Sequence, residues 1–200
     1  MPQSLSQLYV HLAFSTKNRE PFLLPPLRAE MHPYLATVLT NSGSPAIKVG
    51  GTSDHVHALF RLSKNSSLAG IVEEIKTSSS KWIKTKGRAL ASFHWQSGYG
   101  GFSVSPGDVE KVAEYIAHQE THHRAVTFQE EYRRLLESYG IEFDERYVWD
   151  WKVGFLGRLY RAQGQNWPSV DPGQRPGLSA ESDQCPRPQG ARQLKPVPQS

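Results

Sequence analysis

The sequence predicts an α+β protein, a βαββαβ sandwich with added C-terminal helices and a disordered tail. Three observations carry this: short segments of period two alternate with longer segments of period 3.6, Pro and Gly fall between them, and the composition changes near the C-terminus. The first strand is Leu8-Tyr-Val-His-Leu-Ala-Phe14, in which apolar residues take every second place. Pro25-Pro26 opens a helix with Leu27, Met31, Leu35 and Leu39 on one stripe, ending near Asn41-Ser-Gly43. Ala46-Ile-Lys-Val49 reads as the second strand, Gly50-Gly51 as a turn or bulge, and His55–Leu62 as the third strand. Leu68, Ile71, Val72, Ile75, Ser79 and Trp82 mark a second amphipathic helix. Short strands are expected around Phe93-His-Trp95 and Phe102-Ser-Val104, separated by Gly98-Tyr-Gly-Gly101. Ser105-Pro-Gly-Asp108 starts a helix, with Ser at the N-cap and Pro in the first position, running to about Thr121. A last helix covers roughly Phe128–Tyr139 and is closed by Gly140. This order is that of a ferredoxin-like (RRM-like) sandwich, a plan that many unrelated functions share.

Composition bounds the rest. The chain has 200 residues, room for one domain with an extension. Seven of the 14 prolines lie in 168–200, mixed with Gln, Gly, Ser and Arg. Such a segment cannot bury enough surface to offset its ordering entropy, so 1–151 is expected to be the folded domain and 152–200 a disordered Pro/Gln/Arg-rich tail. The aromatic cluster Tyr147-Val-Trp-Asp-Trp151 either packs on the domain or starts that tail. No run approaches the roughly 20 apolar residues of a membrane helix. The opening MPQSLSQLYV also lacks a basic-then-apolar leader pattern. A cytoplasmic protein without membrane contact is therefore expected. Cys185 is the single cysteine, which excludes an internal disulfide framework and a Cys-rich zinc site.

The net charge of +4 arises entirely in 151–200, because residues 1–150 hold 16 basic and 16 acidic side chains. Within 61–88, however, Arg61, Lys64, Lys76, Lys81, Lys84, Lys86 and Arg88 face only Glu73 and Glu74. A local stripe of this kind either neutralises phosphates or is a solvated helix face.

Two segments could do chemistry. His55 and His57 share one face of the third strand, while Val56, Ala58 and Phe60 take the other. Imidazoles about 7 Å apart along a strand can converge on one divalent ion. Tyr115 and Gln119 stand one helical turn apart, flanking the apolar side made by Val109, Val112, Ala113, Ile116 and Ala117. A phenol is a poor nucleophile near neutrality unless a nearby cation favours the phenolate and polarises its target. The plain reading makes all four ordinary structural residues. His118, His122 and His123 suggest a separate zinc site, and His118 and His122 have the i, i+4 spacing of a zinc protease helix, but Gln119 stands where the required Glu would be. Asp54 either orients a ligating His or ends a turn, and Tyr99 in the Gly-rich segment is a rival nucleophile.

Asp54-His-Val-His57, Lys76-Thr-Ser-Ser-Ser-Lys-Trp-Ile83, Trp95-Gln-Ser-Gly-Tyr-Gly100 and Tyr115-Ile-Ala-His-Gln119, in this order and spacing, resemble the single-tyrosine HUH transposases. These are the small insertion-sequence-200 type transposases of hairpin-ended bacterial elements. The resemblance spans about residues 5–149 and does not extend past about 152. It implies the same ferredoxin-like fold. It implies that His55, His57 and Gln119 hold Mg²⁺ or Mn²⁺, with two imidazoles suiting Mn²⁺ at least as well. It implies that Tyr115 attacks single-stranded DNA at a hairpin-bearing end, leaving a 5′-phosphotyrosine and a free 3′-hydroxyl. Rejoining then needs no ATP. It further implies a homodimer with shared active sites, the tyrosine helix of one copy often completing the His pair of the other. Ser105-Pro106 would be the hinge. On this reading Lys76, Lys81, Lys84, Lys86 and Arg88 contact DNA phosphates, with Ser78–Ser80 as donors. Trp82 is expected in the core, and Trp95 and Tyr99 either stack on unpaired bases or pack around the last strands. The alternatives are a domesticated, non-catalytic hairpin-binding protein, an HUH nickase of the relaxase or replication-initiator type, and a small-ligand regulatory module. No Walker P-loop is present to support a helicase-linked initiator.

Overall fold

The order β1 (Leu8–Ser15), α1 (Pro25–Asn41), β2 (Ala46–Gly51), β3 (His55–Leu62), α2 (Leu68–Lys84) and β4 (Gly100–Val104) gives the expected βαββαβ plan. It is seen in a computed structural model that describes residues 5–149. The boundary at 151 and the tail 152–200 lie outside the described residues. The four strands form one sheet in the order β2-β3-β1-β4, with every neighbouring pair antiparallel. Four further helices follow: α3 (Val109–Ala117), α4 (Gln119–His122), α5 (Phe128–Ser138) and α6 (Glu145–Val148).

Local chemistry explains the helices. α1 begins at Pro25, where a missing N–H costs nothing, and buries Met31, Leu35 and Leu39 one turn apart. α2 is capped by Ser67, whose Oγ accepts from the Gly70 N–H at 3.1 Å, and buries Ile71, Val72, Ile75, Ser79 and Ile83. α5 starts in a reciprocal cap, with Glu130 accepting from the Thr127 N–H and Thr127 Oγ1 accepting from the Glu130 N–H. That cap fixes the rotation of α5 and so points Phe128, Glu131, Leu135 and Leu136 inward.

The sheet separates two layers. On one side Leu12 and Phe14 of β1 and Val56, Ala58 and Phe60 of β3 pack against α1 and α2. On the other, Leu59 meets Val104, Val112 and Ile116, and Phe102 meets Leu135 and Leu136. His55 and His57 lie on this second side, one residue out of phase with the apolar set.

Four details differ from the sequence reading. Phe93–Trp95 is not a strand: its chain pairs only briefly with the end of β1, through a single bridge between Thr16 and Trp95. Both side chains drop into the main core instead, with Trp95 donating to Ser79 Oγ at 2.9 Å. Gly50 and Gly51 are not a turn but the last residues of β2, paired with His57 and Val56, and the register shift falls between Ala46 and Lys48. At Gly50 a Cβ would lie 2.3 Å from the Ile116 carbonyl oxygen, and Gly51 has φ +142°, so both need glycine for α3 and the strand to approach. Ser105 does not cap a backbone N–H; its hydroxyl donates to Asp108, and Pro106–Asp108 forms a 3-10 turn before α3. The helix expected to reach Thr121 breaks at His118, dividing α3 from α4. Of the last aromatic cluster, Trp149 packs on the domain against Tyr132.

Candidate metal centre and tyrosine site

β3 is an inner strand, so His55 and His57 are almost wholly buried. Each ring is oriented from behind. His55 Nδ1 lies 2.7 Å from Asp54 Oδ1, and Arg19 holds the other Asp54 oxygen through Nε at 2.9 Å and Nη2 at 2.6 Å. Thr52 Oγ1 also donates to Asp54 Oδ1, at 3.0 Å. Asn18 and Arg19 adopt left-handed backbone angles, φ 55° and 58°, unusual for residues with side chains. This strain sits where the guanidinium reaches Asp54. His57 Nδ1 lies 2.9 Å from His11 Nε2, a β1 residue that the sequence reading passed over. Phe128 stacks on the His55 ring at 4.3 Å.

Burial and partners set the charges. Burial, and then the His57 beside it, hold His11 well below its ordinary value, so it is neutral and can accept from His57 Nδ1–H. Burial lowers His55 too, against the opposing pull of Asp54. Burial raises Asp54, but the hydrogen bond from His55 and the charges of His55 and Arg19 outweigh it, leaving it well below the usual carboxylate range. His123 is lowered to about 4, first by burial and then by His55.

α3 and α4 bring up the second half. Tyr115 is half-buried against Val112 and Ile116, and its hydroxyl donates to Glu131 Oε1. Its ring lies 6.2 Å from that of His57 and 6.1 Å from that of His11. Gln119 is buried; its amide donates to Glu131 Oε1 at 2.8 Å, and its Oε1 lies 3.4 Å from His55 Nε2. Tyr115, Gln119, His55 and His57 therefore converge within one chain. Two residues not singled out as partners of that set complete it: His123, just past α4, and Glu131, on α5. The candidate ligand atoms of His55, His57, His123 and Glu131 all lie within 4.8 Å of one another. The sequence signal for Glu131 is a carboxylate on the buried stripe Phe128, Glu131, Leu135, where an apolar residue would ordinarily stand.

The basic stripe does not join this cluster, because α2 packs on the opposite layer of the sheet. Lys76 turns toward the Gly-rich segment and donates to the carbonyls of Gln96, Ser97 and Gly98 at 2.8, 3.3 and 2.8 Å. Burial lowers it to about 8. Lys86 pairs with Glu30 and lies over the Trp82 ring, which stacks on Tyr34. Lys81 and Arg88 are exposed and Lys84 half-buried. Ser79 is buried and Trp95 belongs to the core. Tyr99 lines a cavity of about 190 Å³ with Gln96, Phe128, Tyr132 and Trp149, alongside the His cluster. Neither His118 nor His122 joins the ligand group. No helix of the described residues is long and apolar enough to cross a membrane.

The model of the family described as "Transposase IS200 like" matches residues 4–119. Among solved structures, a transposase candidate from Deinococcus radiodurans R1 is 20% identical, with a TM-score of 0.47, covering 60% of this chain and 98% of its own. The REP-associated tyrosine transposase bound to a REP hairpin is 15% identical, with a TM-score of 0.46, covering 63% and 76%. No curated protein matches the chain.

Proposed function

Because the chain belongs to the IS200-like transposase family, we propose that it cleaves and rejoins single-stranded DNA at hairpin-bearing element ends, using Tyr115 as the nucleophile. The observation that carries this is the convergence of the Tyr115 hydroxyl with the buried imidazoles through Glu131. On this reading the Tyr115 oxygen bonds to the scissile phosphorus as the bond to the 3′ oxygen breaks. A 5′-phosphotyrosine and a 3′-hydroxyl result, and the reverse step rejoins a strand without ATP. Glu131 Oε1, which accepts the phenol's hydrogen bond, gives the phenolic proton a place to go and fixes the nucleophile's direction. His11 and Asp54 hold the two imidazoles with their Nε2 atoms turned inward.

The site fits a divalent metal ion. His57 Nε2 is buried without a hydrogen-bond partner, 3.5 Å from Glu131 Oε2, an oxygen that His123 Nε2 approaches at 3.0 Å, and the donor set of imidazoles and a carboxylate is one that metals take. His55 and His57, with a neighbouring side-chain oxygen, would hold Mg²⁺ or Mn²⁺. Bound there, the ion would supply positive charge for the phenolate and the phosphate under attack.

The geometry supports a site assembled inside one chain, whether or not the protein is a homodimer. Lys81, Lys84, Lys86 and Arg88 would contact phosphates of the hairpin distant from the scissile one, since they occupy the other layer, whereas Lys76 braces the segment carrying Tyr99. The test uses a single-stranded oligonucleotide with a subterminal hairpin, Mn²⁺ and the full chain. A covalent protein–DNA adduct is expected by denaturing gel and mass spectrometry, and Tyr115→Phe abolishes it. An adduct formed by the Phe variant overturns the assignment.

A further inference from the structure

The cavity of about 190 Å³ beside the imidazole cluster takes no part in the chemistry derived above. Its floor is β1. Ala13 and Ser15 line it from the face they share with His11, and their partners across the ladder on β3 are His57 and His55. Floor and imidazole pair are therefore one strand spacing apart, about 5 Å. Phe128 forms the wall between them, lining the cavity and stacking on the His55 ring at 4.3 Å. Further flat rings continue that wall: Tyr132 lies 5.5 Å from Phe128, and Trp149 lies 5.7 Å from Tyr132. Tyr99, 38% exposed, stands at the rim. Polar groups are few and fixed. Ser15 Oγ donates to Gln96 Oε1 at 2.6 Å, and Gln96 Nε2 donates to the Val148 carbonyl at 2.9 Å. Gln96 keeps one amide N–H and one carbonyl lone pair beyond these bonds. Burial alone raises the Tyr132 phenol to about 12, so it stays a neutral donor. Lys76 braces the Gly-rich wall through its three carbonyl contacts, and its ammonium lies 5.2 Å from the Phe14 ring and 5.8 Å from the Tyr99 ring.

We propose that this cavity is a nucleobase pocket, which takes one unpaired base flanking the scissile phosphate. The proposal rests on the single-stranded DNA reading above. A strand with a phosphate at the imidazoles carries its adjoining bases within one nucleotide's reach of the cavity. Those bases are unpaired, so both their faces and their edges lack partners. The aromatic walls offer stacking to any base, and Gln96 and Tyr132 offer a donor and an acceptor to its edge. An aliphatic occupant would leave the Gln96 groups unpaired. The volume is several times the ~30 Å³ share of one water, room for one flat ring system. Phe128, Tyr132 and Trp149 belong to α5, α6 and the residue after it, beyond the 4–119 that the family model matches, so this wall is the work of the chain's C-terminal helices. Because Phe128 touches both the cavity and His55, a base seated there fixes where its phosphate lies relative to Tyr115.

The test compares a short oligothymidylate with a strand of the same length made of abasic deoxyribose phosphates. Both carry the same charge, so the difference in affinity reads the bases. Binding to the full chain is measured by fluorescence anisotropy without added metal. The base-bearing strand should bind about 10-fold tighter. Tyr99→Ala, which changes an exposed side chain, should remove most of that difference and leave the abasic strand's affinity within about twofold. In a third arm iodouracil replaces one thymine, and the photocrosslinked peptide is read by mass spectrometry. A crosslink to Tyr99, Phe128, Tyr132 or Trp149 is expected in the wild type, so this arm requires no variant. Equal affinities for the two strands, a difference undiminished in Tyr99→Ala, or a crosslink confined to the Tyr34–Trp82 pair on the other layer each overturns the proposal. None of these results touches the transposase reading, which stands or falls on the Tyr115 adduct.

Discussion

On β3, Val56, Ala58 and Phe60 enter a layer of Leu, Ile, Met and Phe side chains, whereas His55 and His57 enter a layer that encloses Glu131, Gln119 and His11. The strand, its burial and its twist are common to both sides; only the side-chain phase differs. The apolar side gains free energy from every buried methylene. The polar side buries groups that must be held by partners at a net cost or near balance. One sheet thus carries stability on one face and chemistry on the other.

The largest expected effect lies on the apolar side. Phe60→Ala, at a fully buried position, should lose about 3–5 kcal/mol in urea unfolding. A comparably large loss from Tyr115→Phe would break the contrast, since that change should abolish the adduct while leaving the fold intact. Next, Gly50→Ala probes the junction between the two sides. Its Cβ would meet Ile116 in both backbone and side chain, so α3 must shift, costing about 1–3 kcal/mol. Because Tyr115 precedes Ile116, adduct formation should slow as well, measured on the same preparation. The smallest effect concerns pH. His32 on α1 is lowered to about 4, by burial and then by Arg28. The unfolded chain therefore takes up its proton first, and stability present above about pH 6.5 is lost as pH falls toward 4. Replacing it, His32→Gln, should flatten the fall in melting temperature between pH 7 and 5 by the equivalent of about 1–2 kcal/mol. The part that remains includes His11, His55 and His123, whose burial acts in the same direction.

The sheet was legible because strand and helix periods differ and because Pro25 and Gly140 mark helix ends chemically. The phase of His55 and His57 on β3 follows from alternation alone. The one-turn spacing of Tyr115 and Gln119 survives the break at His118. Glu131 and His123 were harder to read. Which way α5 packs back over the sheet depends on long-range contacts, and only a carboxylate in an apolar stripe hints at it. Alternation along β1 gives His11 no distinguishing mark, and only the sheet order puts it behind His57. The lysines of α2 illustrate the reverse case. Their spacing was plain, but the layer on which they fall is a property of the sandwich, and the three carbonyls around Lys76 come from a segment 20 or more residues away.

The sheet order has one more consequence. β1 and β3 take the two inner places, so His11, His55 and His57 stand on strands hydrogen-bonded along both edges, while the phenol rides on a nine-residue peripheral helix. Inner strands open last and short outer helices first. Thermal noise therefore reaches the nucleophile before it reaches the imidazoles, and a partly opened molecule is disarmed without scattering the groups that must find one another again.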